Sequence, residues 1–219
     1  VGEPARPAAG AALQEDGDAR LRILATAERL MTRHGYSGVS LRSIMAEAGV
    51  NTAAVHYYFR NKEGLLRAIF DLRVGPINEQ RSRRFDALEA TGAAPSIRAI
   101  LDAFIAPAIR ITRLPGGENF NKLSGLCSVD PSPEVRRVVF DAYNDVAQRF
   151  VRMLRQACPH LDDARFYWRL HCVFGSMMYI RSDNGRVAFL LGDAAAAADT
   201  EMVRAELWGL LTVGMQRGT

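Results

Sequence analysis

Four residues, Ala48-Gly49-Val50-Asn51, separate two short segments that each carry an apolar stripe. On the near side Ser40 stands where an N-cap belongs, ahead of Leu41, Ile44, Met45 and Ala48 at helical spacing. On the far side Asn51 can cap a helix that runs through Phe59. Gly49 breaks the chain and Val50 is an apolar plug between the two. Helices joined by so short a break form a helix-turn-helix. A preceding stripe, Ile23, Leu24, Ala27, Leu30 and Met31, ends at Gly35 and supplies the third helix of a small head.

Helical patterns continue down the chain. Asn61 caps a fourth segment with Glu63 in its first turn, where negative charge suits the helix dipole, and Leu65, Leu66, Ile69 and Phe70 form its buried face. Gly75-Pro76 is expected to break or kink it, because proline lacks the helical donor. Residues 95–113 read as helix. Residues 114–130 read as the least regular part of the body, opening on Pro115-Gly116-Gly117. Pro133 marks the start of a long helix to about Ala157, and further helices cover 162–181 and 199–215. Residues 185–191 are the only short strand candidate, and they would have no partner. The expected fold is all-α: a three-helix helix-turn-helix head joined to a helical body. Residues 1–18, rich in Ala, Gly and Pro without an apolar period, are expected to be a disordered arm. The head is placed at 17–77, with its helix-turn-helix at 40–59, and the body at 78–219.

Charge is distributed to match. Lys plus Arg number 28 against 24 acids, a mild excess that permits a polyanionic partner without demanding one. Between positions 20 and 62, however, seven basic residues face only Glu28 and Glu47. The second helix of the motif is built to approach a duplex. Thr52, Ala53 and Ala54 are small enough to let its backbone near the base edges of a major groove, where alanine methyls can meet thymine methyls. His56, Tyr57 and Tyr58 follow one turn later with tips that donate to phosphates, the histidine as a neutral imidazole. Adjacent residues diverge by about 100° on a helix, so Tyr57 and Tyr58 cannot both be core. Lys62 is placed to grip phosphate at the next helix start, and Ser40 and Arg42 to hold the backbone from the other side.

The stretch ILATAERLMTRHGYSGVSLRSIMAEAGVNTAAVHYYFRNKEGLL, residues 23–66, resembles the DNA-binding domain of TetR-type transcriptional regulators. The matches are the Ile23/Leu24 stripe, Gly35-Tyr36, Ser40, Ile44, Ala48-Gly49-Val50, Tyr58-Phe59 and Lys62-Glu63 with Leu65. The resemblance implies that Thr52, Ala53, Ala54 and Tyr57 face DNA most closely. It gives Ser40, His56, Tyr58 and Lys62 the backbone contacts. Two positions depart from the pattern: the family commonly has Tyr at His56 and Leu or Ile at Val55. No arginine stands on the reading helix, so part of the specificity is expected from DNA shape or water.

The resemblance also implies that the body is a helical effector-binding and dimerisation domain: a homodimer formed through the last two long helices, a pseudo-palindromic double-stranded operator, and a small-molecule effector whose binding releases a repressor. The residues agree on the dimer, since both helices are apolar on two faces and need a second surface. The expected interface is Val173, Met177, Ile180, Met202, Leu207, Trp208 and Leu211. The effector pocket is expected at Phe104, Ile105, Phe120, Tyr143, Trp168, His171, Phe174 and Met178, each of which also fits plain core packing.

An enzyme and a helical scaffold are the competing classes. The chain has no phosphate-binding loop, no Gly-x-Ser-x-Gly, no His-Glu-x-x-His and no Cys-x-x-Cys. Its four histidines lack zinc spacing, so no catalytic residue, cofactor or metal is expected. Cys127, Cys158 and Cys172 read as reduced thiols. No apolar run of about 18 residues suggests a membrane span. The expected location is the bacterial cytoplasm, on DNA.

Overall fold

The computed structural model describes residues 9–111, 115–182, 185–192 and 200–218. Helices α1 (Ala9–His34), α2 (Leu41–Ala48) and α3 (Thr52–Phe59) form the head. Helix α4 (Lys62–Ala90) runs from the head into the body. The body adds α5 (Ile97–Arg110), α6 (Gly117–Val129), α7 (Pro133–Ala157), α8 (Asp163–Arg181), the short α9 (Arg186–Leu191) and α10 (Thr200–Gln216). No strand occurs among the described residues.

The apolar stripes become one continuous core. In the head Ile23, Ala27 and Met31 of α1 pack with Ile44 of α2, Phe59 of α3 and Leu65, Leu66 and Ile69 of α4, all buried. In the body Phe104 of α5 stacks on Phe150 of α7, with ring centroids 4.1 Å apart, and Phe174 of α8 meets both edge-on. Helix α4 packs on α1, α5 and α7, and α10 packs on α5 and α8.

The structure departs from four expectations, at Pro76 from the expected break alone. Helix α1 already includes residues 9–18, which were expected in a disordered arm. Ala11-Ala12-Leu13-Gln14-Glu15 are strong helix formers, and this propensity outweighs the lack of an apolar period. Residues 1–8 lie outside the described ones. Helix α4 continues through Pro76. An interior proline costs about 3 kcal/mol. Leu65, Leu66, Ile69, Phe70, Val74, Ile77 and Phe85 are all buried along this helix, and each such side chain contributes roughly 1.5–3 kcal/mol.

Residues 117–129 form α6 rather than a loop. Phe120, Leu123 and Cys127 make a buried face diluted by Asn, Ser and Gly between them. Tertiary contact completes the helix: α6 packs on α1, α7 and α8, and at Gly125 an added Cβ would lie 2.5 Å from the Ser182 Cβ. The strand candidate at 185–191 is helix α9 over most of its length.

A part-buried ion pair ties α4 to α1. Arg73 of α4 donates from Nε and Nη2 to the two oxygens of Glu28 on α1, at 2.9 and 3.2 Å. Its Nη1 donates to the Pro115 carbonyl at 3.0 Å, which brings in the segment ahead of α6. Burial pushes the Glu28 carboxyl above its ordinary value, and Arg73 pulls against that. The folded state therefore favours the protonated acid, and this group's contribution falls as pH rises from the ordinary value through the raised one. Arg73→Ala leaves a buried carboxylate without its guanidinium, with an expected loss of about 3–5 kcal/mol in urea unfolding at neutral pH. The double replacement Glu28→Met/Arg73→Met should cost less than that single change.

Candidate nucleic-acid interface

The start of α2 is fixed by a reciprocal cap. Ser40 Oγ accepts from the Ser43 N–H at 3.0 Å, and Ser43 Oγ accepts from the Ser40 N–H at 3.2 Å. Ser40 and Arg42 are both exposed beside it. Gly49 ends α2 in the left-handed region, φ 66°, with its N–H on the Met45 carbonyl. A side chain at that φ would be strained, so the sharp exit toward α3 depends on glycine.

Helix α3 presents a graded face. The side chains of Thr52, Ala53, Ala54 and Val55 lie outside the described ones, although the backbone there is helical. Tyr57 is 78% exposed, Tyr58 is half-buried against the core, and Phe59 is buried. The Tyr57 and Tyr58 rings meet edge-on at 5.0 Å, so the inner ring supports the outer one. Arg20 of α1 lies 5.7 Å from the Phe59 ring centroid.

Two expected phosphate donors are occupied inside the protein. His56 Nδ1 sits 3.0 Å from the Arg60 carbonyl. A carbonyl only accepts, so Nδ1 carries the proton, and Nε2 of the neutral ring is left as an acceptor. The neutral ring therefore cannot donate to phosphate through its free edge; only the imidazolium can.

Lys62 is turned inward. Its ammonium donates to the Tyr36 and Val39 carbonyls, both at 3.0 Å, and lies 4.2 Å from the Tyr36 ring centroid. Two of its three hydrogens thus close the turn between α1 and α2, where the Tyr36 carbonyl also accepts from the Val39 N–H at 3.4 Å. Burial, followed by the nearby carboxylates Glu134, Glu63 and Asp130, pushes the Tyr36 phenol up to about 12.

In the body the outward stripes are rotated from those expected. Val173, Met177, Leu207, Trp208 and Leu211 are buried in the protomer's own core, and Ile180 is half-buried against it. Of the expected interface only Met202, 53% exposed, faces outward. The exposed apolar side chains on these helices are instead Tyr167, Trp168 and Tyr179 on α8 and Leu210 and Val213 on α10.

A cavity of about 280 Å³ opens among α4, α5, α7 and α8. Of the residues named for an effector pocket, Phe104, Tyr143, Phe174 and Met178 line it. The other four do not: Ile105 and Phe120 are wholly buried in the core, Phe120 against Phe70, while Trp168 and His171 face outward. The reading of the sequence missed Arg81 and Arg181, which also line the cavity. Arg81 lies in a charged run, Arg81-Ser82-Arg83-Arg84, that resembles a solvated surface. Its spacing of four from both Ile77 and Phe85 was the available signal.

Among the described residues there is no group of three or more His, Cys, Asp or Glu that could hold a metal ion. No described helix is long and apolar enough to cross a membrane. Cys127 is buried, and that burial, with Asp130 nearby, pushes its thiol up to about 12.

Comparison with known proteins gives the class. A family model described as bacterial regulatory proteins, tetR family, matches residues 23–69, and one described as Tetracyclin repressor-like, C-terminal domain, matches residues 102–214. The second match alone spans more than half of the chain, and the protein belongs to the TetR family, whose members are generally non-enzymatic transcription factors. The HTH-type transcriptional regulator AcrR of Shigella flexneri is 36% identical over 66 residues, 30% of this chain and 31% of that one. The HTH-type transcriptional regulator LmrA of Bacillus subtilis is 28% identical over 145 residues, covering 64% of this chain and 73% of that one. The chain therefore spans under a third of AcrR.

Among solved structures, the fatty acid degradation regulator FadR from Bacillus halodurans superposes with a TM-score of 0.63 at 15% identity, over 98% of this chain and all of that one. The Bacillus subtilis FadR in complex with stearoyl-CoA gives 0.58 at 17%, over 90% and 99%. At these identities the likeness shows the fold.

The geometry of Lys62 makes a direct prediction. Lys62→Ala should lower the stability of the protein without DNA by about 2 kcal/mol, since it removes two charge-assisted hydrogen bonds and a ring contact. Denaturant unfolding checks it. A purely phosphate-binding lysine would leave unfolding unchanged.

Proposed function

We propose that the protein is a homodimeric, cytoplasmic transcriptional repressor that reads a pseudo-palindromic operator and leaves it when a small molecule fills the body cavity. The observation that carries this reading is the face of α3. A tyrosine 78% exposed on the second helix of a capped helix-turn-helix is a large apolar surface held where it contributes nothing to the core. A major groove accounts for it, together with the small residues Thr52, Ala53 and Ala54 that precede it. Ser40, Arg42, His56 and Tyr58 are the proposed flanking backbone contacts. Lys62 has one hydrogen left for that role.

Dimerisation follows from the outward stripe on α8 and α10. Trp168 is 66% exposed and Leu210 70%, on helices whose opposite faces already fill a core. Exposed apolar side chains on both of the last two long helices are what such an interface would bury. Helix α6 touches both ends of the proposed switch. Thr32 Oγ1 of α1 lies 3.2 Å from the Asn119 carbonyl, while Asn121 Oδ1 accepts from the cavity residue Arg181 at 2.9 Å. The reading assigns the protein no catalytic activity and no cofactor.

Footprinting of the purified protein should reveal two half-sites whose centres lie about one helical turn apart, or a multiple of that. Tyr57→Ala should weaken specific binding by about 1–3 kcal/mol and leave the dimer intact in sedimentation. Loss of the dimer would place that ring elsewhere. Leu210→Glu should split the dimer and abolish operator binding, with unchanged helical content.

A further inference from the structure

The cavity has an apolar wall and a cationic end. Phe104, Phe174, Met177 and Met178 supply the wall, and Phe140, 63% exposed, stands at its rim. The polar end is formed by Arg81, Tyr143 and Arg181. Arg81 is 1% exposed. It donates from Nε to the Phe104 carbonyl at 2.8 Å and from Nη1 to Asn78 Oδ1 at 3.3 Å. Its Nη2 has no hydrogen-bond partner among the described residues. Arg181 donates from Nε to Asn121 Oδ1 at 2.9 Å and from Nη2 to the Tyr143 hydroxyl at 3.4 Å. That hydroxyl also bonds to Ser124 Oγ at 3.0 Å.

Every one of these partners is neutral. Other arginines of α4 and α7 meet carboxylates: Arg67 with Asp141, Arg73 with Glu28, Arg84 with Asp102, and Arg149 with Asp86 and Glu89. Among the described residues Arg81 and Arg181 form no ion pair. A buried charge without a counter-ion is unfavourable, and two like charges side by side are more so. Burial, with Arg181 adding to it against the pull of Tyr143, lowers Arg81 to about 9, which still leaves it cationic at neutral pH. Burial raises the Tyr143 phenol, but Arg181 and the other donors around it bring the net shift below the ordinary value.

We infer that the cavity binds a compact organic anion, a carboxylate on a mainly apolar body, whose charged group lies between Arg81 and Arg181. Guanidinium groups recognise carboxylates through paired N–H donors, and the wall of aromatic and methionine side chains takes the rest. An inorganic anion would satisfy the charge and leave the wall empty. A neutral apolar molecule would fill the wall and leave the cations unpaired. This deepens the effector reading above and rests on it only for the consequence at the operator.

Titration calorimetry on the full-length protein tests the site without DNA. The probes are the straight-chain acids from butanoate to dodecanoate, each set against the primary alcohol and primary amine of the same length. The expected result is that at least one acid binds, roughly tenfold or more tighter than its alcohol, and that the amines do not bind. Arg181→Gln, at a half-buried position, should remove roughly tenfold of the acid's affinity and leave the alcohol's unchanged. The same contrast is expected from Arg81→Gln, and Arg181→Gln carries the test if that buried replacement fails to fold. Alcohols binding as tightly as acids would overturn the inference. So would equal losses for both in Arg181→Gln, no binding by any acid, or chloride saturation that abolishes acid binding. An acid that binds while the operator complex persists supports the site and removes the proposed release.

Discussion

The structure depends on α4 remaining one helix. Its 29 residues span about 43 Å, from the turn that closes the head to the far end of the body. Three cations along it tie it to different neighbours. Lys62 holds the Tyr36 and Val39 carbonyls, Arg73 holds Glu28 on α1 and the Pro115 carbonyl, and Arg81 holds the Phe104 carbonyl beside the cavity. Between them the buried apolar row from Leu65 to Phe85 offsets the proline at 76. A hinge at Pro76 would disconnect the reading helix from the cavity; a continuous helix makes the placement of α3 sensitive to how the body packs.

Helix α6 supplies a second connection of a different kind. It packs on α1 of the head and on α7 and α8 of the body. The Gly125 contact with Ser182 keeps α6 close to the end of α8, one residue beyond Arg181. The cavity's cationic end is thus built largely from residues that also position α6: Arg181 through Asn121, and Tyr143 through Ser124. Neutralising Arg181 would change the field at both bonds. The electrostatics of the cavity and the seating of α6 under α1 are one problem, which is why the buried charge stands where it does in the proposed switch.

The head was legible in the sequence because its signals are local. Ser40 caps, Gly49 turns and Asn61 caps again, each fixed by a few neighbouring residues, and the structure shows all three in those conformations. The stripe of Ile23, Ala27 and Met31 needed only the helical period. The body was less legible. In α10 Leu207, Trp208 and Leu211 point inward and Leu210 and Val213 outward. A helix apolar on two faces does not declare which stripe meets its own core. Helix α6 was hidden because its buried face is interrupted by Asn121 and Ser124, whose partners Arg181 and Tyr143 come from distant parts of the chain. Lys62 and His56 were read as outward donors because a sequence does not show that nearby carbonyls will claim their protons. Arg81 was passed over for the opposite reason, as a charge that belongs at a surface.

The claim that the cavity and the reading head move together through α4 is tested most directly by the distance between the two heads of the proposed dimer. A nitroxide at Ala46→Cys on the exposed side of α2, in a Cys172→Ser background, reports it by pulsed electron spin resonance. With operator bound the account predicts a single narrow distance, set by half-sites about one turn apart. Adding the tightest-binding carboxylate should shift that distribution and release the DNA in the same concentration range. A distribution unchanged by a saturating ligand would contradict the account, because α4 would then carry nothing from the body to the helices that read DNA.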